Sequence, residues 1–216
     1  MITSYPNTYK KLLPLFKPEE GSIERGCSIA GVHAEGPFIS PNRAGAHPPE
    51  YIQAPSQVEQ SIRDCYGSLQ NIRLITIAPE LEGSLNTIQY LHNHGITVSL
   101  GHTASHLATA IDGVHAGATL ITHLFNAMTP FHHRDPGVIG LLGMPTETAP
   151  YYSLIVDGIH SHPYTVKFAE KANGKKCVLI TDAMAAMGLG EGHHKLGKQN
   201  VIVKNQYFLY FLLVIV

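Results

Sequence analysis

The sequence lacks tryptophan, holds only three cysteines among 216 residues and has few charged side chains, 14% of the total. Cys27, Cys65 and Cys177 are widely separated and form no C-x-x-C pair, which argues against both a disulfide scaffold and a cysteine-type zinc site. Residues 1–21 contain no apolar run of the roughly 7–15 residues that a signal peptide needs. The sequence therefore predicts a protein of a reducing compartment, the cytoplasm.

Charge of either sign is scarce, and it is balanced. Lys and Arg number 15 against 16 Asp and Glu, which gives a net charge of -1. Such a balance leaves no basic surface to neutralise nucleic-acid phosphates, so we expect no nucleic-acid partner. The most apolar segment, 207–216, is far shorter than the roughly 20 residues of a membrane-spanning helix. We therefore expect no membrane partner and interpret this segment as an atypical tail.

What the sequence does contain is a series of short runs rich in Val, Ile and Leu and bounded by Gly or Pro. The runs span residues 28–35, 72–78, 97–102, 118–123, 152–160 and 177–182. Such runs are typical of strands buried on both faces of a parallel sheet. Segments with apolar residues at helical spacing lie between several of these runs. They span 57–69, Ser84 to Gly95, Thr103 onward and Ser161 to Gly174. The alternating order predicts a parallel α/β fold.

The ends of these runs favour a barrel over an open sheet. Five of the six stop at a residue that can bind a metal or transfer a proton: Glu35, His102, His123, His160 and Asp182. Functional groups at the ends of several strands are a feature of (β/α)8 barrels, and the sequence has no glycine-rich phosphate turn of the kind found in open nucleotide-binding sheets. We predict an incomplete (β/α)8 TIM-type barrel with six of its eight strands.

Three of these residues predict a metal site. Glu35, His102 and His123 form a set of two histidines and one glutamate, which in hydrolases holds zinc and leaves a position for water. The prediction is one divalent metal ion, with zinc favoured and iron or cobalt left open. Amide hydrolysis also needs a group that accepts and returns a proton, and Asp182 is the candidate.

Most other histidines are interpreted as surface residues. They lie at the end of a predicted helix, on the next helix or in loops: His92, His94, His106, His115, His132, His133, His193 and His194. Arg134 differs, because it follows the fourth apolar run on the same loop as Asn126 and Ala127. An arginine fork assisted by backbone N–H groups can bind phosphate. The loop therefore indicates a phosphorylated substrate.

Six sequence blocks, taken together, resemble one family. They are HAEGPF at 33–38, GAHP at 45–48, GHT at 101–103, THLFNAM at 122–128, DGIH at 157–160 and LITDA at 179–183. In this order they resemble the signature blocks of the N-acetylglucosamine-6-phosphate deacetylases of the amidohydrolase superfamily. The resemblance covers residues 28–206. It implies hydrolysis of the acetamido group of N-acetylglucosamine 6-phosphate, giving glucosamine 6-phosphate and acetate in amino-sugar catabolism.

The resemblance also implies roles for individual residues. Glu35, His102 and His123 match the metal ligands. Asp182 matches the base that activates water and then protonates the amine, and His47 matches the residue that helps the metal to polarise the acetyl carbonyl. The remaining matches are substrate contacts: Ala46, Asn126, Ala127, Arg134 and His160. The family implies a homodimer, in which the arginine can reach the phosphate from the partner subunit.

The resemblance predicts four segments along the chain. They are an N-terminal segment 1–27, a partial barrel 28–195, the start of a return to a small β domain 196–206 and the tail 207–216. In the family two further barrel strands and part of a small β domain precede the first block, so the sequence is interpreted as truncated. Three hypotheses stay open: this deacetylase, a related deacetylase for another acetamido sugar phosphate, and a non-catalytic fragment of such an enzyme.

Overall fold

A computed structural model describes residues 1–197, 199–204 and 207–210. The chain divides into two compact units, Met1–Ile180 and Thr181–Val216. The first unit holds a parallel sheet with its helices, and the second holds a small antiparallel sheet. The four segment bounds predicted above remain a prediction.

The first unit is built on six parallel strands that pair in chain order. The strands are β1 Val32–Glu35, β2 Ile72–Ile77, β3 Thr97–Leu100, β4 Ala118–Ile121, β5 Tyr151–Ile155 and β6 Cys177–Ile180. Their branched apolar side chains form the core, in which Ile75, Val98 and Leu100 are fully buried. Parallel strands that pair successively are the arrangement of a TIM-type barrel. The predicted incomplete barrel of six strands is confirmed.

Helices connect most of the strands, as the apolar spacing predicts. They are α1 Pro6–Leu12, α2 Glu59–Tyr66, α3 Ser84–Asn93, α4 Leu107–His115 and α5 Pro163–Asn173, with a 3-10 helix, Gly137–Gly143, between β4 and β5. The sequence predicts Ser84 as the N-cap of α3, but Gly83 takes that position in a left-handed conformation and Ser84 is the first helical residue. The predicted start of α4 is also wrong. Helix α4 begins at Leu107 and not near Thr103, because the Thr103 hydroxyl donates a hydrogen bond to Glu80.

The strands end earlier than the apolar runs of the sequence. β3, β4 and β6 each stop two residues before the predicted functional residue, which is His102, His123 or Asp182. β5 ends at Ile155, so His160 lies in a turn and not at a strand end. The prediction placed the strand ends too late because Gly101, Thr122 and Thr181, which follow β3, β4 and β6, are compatible with a strand and with a turn.

The free edge of β1 is partly covered by the chain itself. The Met1 amino group donates to the His33 carbonyl over 2.5 Å, and the Glu35 N–H donates to the Met1 carbonyl over 2.9 Å. This alternation is the hydrogen-bond pattern of a parallel ladder, so Met1 lies where a further strand would pair. At the opposite side β6 is the last strand of the described sheet, and Leu179 on it is 73% exposed.

Buried hydroxyl groups form a chain between neighbouring strands. Thr122 Oγ1 lies 2.8 Å from Thr76 Oγ1 and 2.5 Å from Ser99 Oγ. His33 Nε2 extends the chain with a 2.8 Å contact to Thr76 Oγ1. Burial lowers the pKa of His33 to about 4, so its ring is neutral near pH 7. The interior of the sheet is therefore polar around these four side chains, and each of them has a hydrogen-bond partner.

The second unit contains a three-stranded antiparallel sheet. Its strands are β7 Gly192–Leu196, β8 Gln199–Lys204 and β9 Tyr207–Tyr210. His193 and His194 lie on β7, so their predicted loop position is wrong; pairing of His194 with Val201 holds this segment extended. The predicted tail begins within β9, and its residues 211–216 lie outside the described residues. In the described part of the chain, no helix is both long and apolar enough to cross a membrane.

Candidate metal centre

The three predicted metal ligands meet at the carboxyl ends of β1, β3 and β4. Glu35 Oε1 lies 3.1 Å from His102 Nε2 and 2.9 Å from His123 Nε2. The two Nε2 atoms are 3.1 Å apart, and one ligand atom from each of the three residues lies within 4.8 Å of the others. Both histidines are buried. Three donors of this chemistry at this spacing fit one divalent cation with a position left for water.

An unusual backbone conformation presents the two histidines. His102 has φ of 46° and His123 has φ of 30°, a left-handed region that non-glycine residues seldom adopt. Hydrogen bonds from neighbouring loops hold both residues: the Ser40 N–H donates to the His102 carbonyl over 2.8 Å, and the His123 N–H donates to Ser153 Oγ over 2.7 Å. Strain of this kind persists where surrounding contacts fix it, and it is concentrated at functional sites.

The tautomer of His102 suits metal binding. Its Nδ1 lies 2.7 Å from the Arg43 carbonyl oxygen, which can only accept a hydrogen bond. The ring proton of the neutral form therefore sits on Nδ1, and the lone pair of Nε2 faces Glu35 and His123. A backbone carbonyl that orients a histidine in this way is typical of metal ligands.

Glu35 is held as a carboxylate. Burial alone would raise its pKa, but the contacts of the carboxylate with the rings of His102 and His123 outweigh burial and bring the pKa well below its ordinary value. An ionised carboxylate beside two imidazole nitrogens is the donor set that zinc prefers. The residues present therefore fit the predicted metal ion.

His47 lies beside the three ligands. Its Nε2 is 3.8 Å from Glu35 Oε2, and its ring centroid is 4.4 Å from that of His102. Burial, followed by the neighbouring His102, lowers the pKa of His47 to about 3, so the ring is neutral near pH 7. His47 therefore lies beside the candidate metal-binding group, and its role stays a prediction.

A glycine lets the loop that carries His47 approach the site. Gly45 has φ of 56°, and a Cβ there would lie 3.3 Å from His102 Cε1 and 3.9 Å from the Ala127 side chain. Ala46, a predicted substrate contact, is half-buried on the same loop. The loop after β1 therefore lies against the ring of His102, and Ala127 of the loop after β4 lies close to Gly45.

The predicted sugar-phosphate contacts on the loop after β4 differ in environment. Asn126 and Ala127 are half-buried, whereas Arg134 is exposed. The Thr103 N–H donates to the Ala127 carbonyl over 3.1 Å, which ties this loop to the residue that follows His102. Ala127 therefore lies next to the residue that follows His102, and Arg134 lies on the solvent side of the same loop.

His160 is held by the aspartate of its own block. Its Nδ1 lies 2.6 Å from Asp157 Oδ2, and its N–H donates to Asp157 Oδ1 over 2.8 Å. Partial burial would raise the pKa of Asp157, but these hydrogen bonds keep it below its ordinary value. Asp157 therefore holds the ring of His160 in place on an exposed turn.

Asp182 belongs to the second unit, two residues after β6. Its φ of 49° repeats the left-handed backbone of His102 and His123. All three residues therefore occupy the same position relative to the end of their strands.

Sequence reasoning missed two supporting residues. Glu80, just after β2, accepts hydrogen bonds from Thr103 Oγ1 over 2.5 Å and from the Ala104 N–H over 2.6 Å. It thus fixes the loop that follows His102. Its place after a buried strand was the available signal. Thr3 contacts His47, and no sequence pattern marks it.

The fold and the site together define an incomplete TIM-type barrel with a candidate metal-binding group at the carboxyl ends of its strands. Comparison with known proteins places this chain among particular relatives. It is similar to the N-acetylglucosamine-6-phosphate deacetylase of Danio rerio, 45% identical over 208 residues, which are 94% of this chain and 51% of the relative. The deacetylase of the same name from Caenorhabditis elegans is 47% identical over 210 residues, 94% of this chain and 50% of the relative.

Solved structures agree with these relatives. A mutant N-acetyl-D-glucosamine-6-phosphate deacetylase from Mycobacterium smegmatis, in complex with N-acetyl-D-glucosamine-6-phosphate, matches with a TM-score of 0.83 and 30% identity. The match covers 99% of this chain and 54% of that one. No family model matches the chain. The resemblance drawn from the sequence blocks is confirmed, and the chain spans about half the length of the curated relatives it matches.

Proposed function

We propose that this chain carries the metal centre of an N-acetylglucosamine-6-phosphate deacetylase. The observation that supports the proposal most strongly is the convergence of Glu35, His102 and His123 within 4.8 Å. The names of the relatives supply the substrate, N-acetylglucosamine 6-phosphate, and the products of its deacetylation are glucosamine 6-phosphate and acetate. The proposed setting is amino-sugar catabolism by a cytoplasmic homodimer.

The chemistry divides among the residues of the site. A zinc ion, when bound, supplies Lewis acidity that lowers the pKa of water and polarises a carbonyl. Asp182 takes a proton from the attacking water, whose oxygen bonds to the acetyl carbon. As the carbon–nitrogen bond breaks, Asp182 returns the proton to the leaving amine. His47 donates its Nε2 hydrogen to the acetyl oxygen, on which negative charge develops.

The remaining residues hold the sugar phosphate. Asn126 and Ala127 lie on the loop tied to Thr103, beside the metal centre. Arg134 offers a planar fork that suits phosphate oxygens, and His160, held by Asp157, offers a hydrogen-bonding ring. In a homodimer the arginine would serve the site of the partner subunit.

A chimera tests this function with a complete barrel. Residues 1–206 of this chain replace the matching half of the Caenorhabditis elegans relative, and acetate release from N-acetylglucosamine 6-phosphate is measured with and without zinc. We expect zinc-dependent acetate release. A folded, zinc-loaded chimera that releases no acetate would refute the proposal.

Asp182→Asn in the same chimera tests the proton-transfer role. Because general acid–base catalysis contributes about 10²–10⁴-fold, we expect turnover to fall by that amount while bound zinc, measured by mass spectrometry, stays unchanged. Near wild-type turnover would remove Asp182 from this role. Asp112→Asn, at an exposed position on α4, is the matched control and should leave turnover unchanged.

A second candidate is a non-catalytic, metal-binding half of such an enzyme. The observation that favours it is the length: the chain spans about half of its relatives, and its sheet has six strands. The chain alone, tested beside the chimera, separates the two functions. If the chain alone binds zinc but releases no acetate while the chimera is active, the chain by itself is the non-catalytic, metal-binding half.

A further inference from the structure

Thr3 connects the first residues of the chain to the metal centre. Its backbone N–H lies 3.2 Å from His47 Nδ1, and its Oγ1 lies 2.7 Å from the same atom. Thr3 is 1% exposed and His47 is 4% exposed, so water does not compete for these hydrogen bonds. Nothing in the proposed chemistry above uses Thr3.

The contact with the backbone determines where the proton of His47 sits. A peptide N–H can only donate, so Nδ1 must accept and carries no proton. In the neutral ring the single proton is therefore on Nε2. That nitrogen is the one that faces the site, 3.8 Å from Glu35 Oε2.

Thr3 is itself fixed in place. Its hydroxyl oxygen also lies 3.1 Å from the Glu35 carbonyl oxygen, but its single hydrogen donates to Nδ1, because the backbone N–H already makes that nitrogen an acceptor. A Cβ on Gly36 would lie 2.2 Å from Thr3 Oγ1, so only glycine leaves room for the hydroxyl there. The two hydrogen bonds of Met1 to β1 align this segment along the strand.

We propose that Thr3 is a positioning residue that holds His47 as the Nε2–H tautomer and directs this N–H toward the acetyl oxygen of the substrate. The inference rests on the proposed function only for the acceptor, the acetyl oxygen of the substrate. The tautomer of His47 is argued from its contacts with Thr3 alone. It assigns His47 the role of a hydrogen-bond donor. A ring in this tautomer cannot use Nε2 as a base or as a metal ligand, which agrees with its place outside the three-residue ligand group.

Nitrogen NMR of the ¹⁵N-histidine-labelled, zinc-loaded chain tests the tautomer directly, with His47→Gln used to assign the ring. We expect an unprotonated Nδ1 and a protonated Nε2. Thr3→Val removes the hydroxyl donor and should move the Nδ1 resonance, whereas Thr3→Ser keeps the donor and should leave the resonance near its wild-type position. Thr148→Val, whose exposed hydroxyl binds only the Pro145 carbonyl among the described contacts, is the matched control and should change nothing.

Kinetics in the chimera supply the second readout. Thr3→Val keeps the backbone N–H but removes the hydroxyl donor to Nδ1, and a lost hydrogen bond is worth up to about 10-fold in rate. The variant should therefore lower kcat by up to about 10-fold, leave KM within about twofold and be rescued by Thr3→Ser. A protonated Nδ1 in the wild-type chain would overturn the proposal, as would a Thr3→Val variant with unchanged resonance and kcat. If the chimera releases no acetate, the proposed function fails while the NMR result still decides the tautomer.

Discussion

His102 and His123 show how single residues shape the metal centre. Each follows its strand by two positions and adopts positive φ, a conformation that costs about 1–3 kcal/mol for a non-glycine residue. The contacts that hold this conformation come from other loops, including Ser40 and Ser153. Preorganisation of the candidate ligands thus depends on residues outside the ligand group. Gly45 is one such residue, and a single substitution can test it.

Gly45→Ala should weaken metal binding. The new methyl group would lie 3.3 Å from His102 Cε1, on a backbone with φ of 56°, so the ring must shift away from Glu35. We expect zinc affinity, measured by competition with a chromophoric chelator, to fall about 10-fold. Gly95→Ala is the matched control, because its φ is 75° and nothing lies within 4 Å of a Cβ there. Equal zinc affinity in wild type and Gly45→Ala would show that the crowding has no effect.

At the scale of elements, the strands were the most predictable part of the protein. Runs of Val, Ile and Leu located all six parallel strands, and Gly punctuation located the helices between them. Strand ends were less predictable, since the turn at His102 depends on the Ser40 contact from another loop. Thr3 was not predictable at all: it is 44 residues from His47, and only the packing of β1 brings them together.

The buried hydroxyl chain between β2, β3 and β4 should stabilise the sheet. Thr122→Val removes the hydroxyl that joins Thr76 and Ser99 and leaves their hydroxyls with fewer partners. We expect the free energy of unfolding, from urea titration, to fall by about 1–3 kcal/mol. Thr119→Val, on the exposed face of β4, should change it by less than about 0.5 kcal/mol. A Thr122→Val variant as stable as wild type would mean that the hydroxyl chain contributes nothing.

For the whole molecule, the sheet ends asymmetrically. Met1 covers part of the β1 edge, whereas β6 is the last described strand and carries exposed Val178 and Leu179. An uncharged apolar edge strand is a template for pairing with another chain. The chain spans about half the length of these relatives, and the exposed side of β6 is one edge of its described sheet.

Leu179→Lys should reduce self-association of the chain. Leu179 is 73% exposed on β6, and a lysine on an edge strand opposes strand pairing between copies. Sedimentation velocity over a range of concentrations should show less association for this variant than for wild type. Leu15→Lys, at a residue 71% exposed in a short 3-10 helix, is the control and should behave as wild type. Equal association in all three proteins would exclude the β6 edge as its cause.

Zinc titration of the chain by calorimetry asks directly whether Glu35, His102 and His123 hold a metal ion. We expect one zinc ion per chain and, because Glu35 supplies one of the three donors of the candidate group found among the described residues, an affinity at least about 100-fold lower in Glu35→Gln. Glu82→Gln, at an exposed acid, should bind zinc as wild type does. Absence of zinc binding by the folded chain, or equal affinity in Glu35→Gln and wild type, would show that these three residues do not form a metal site.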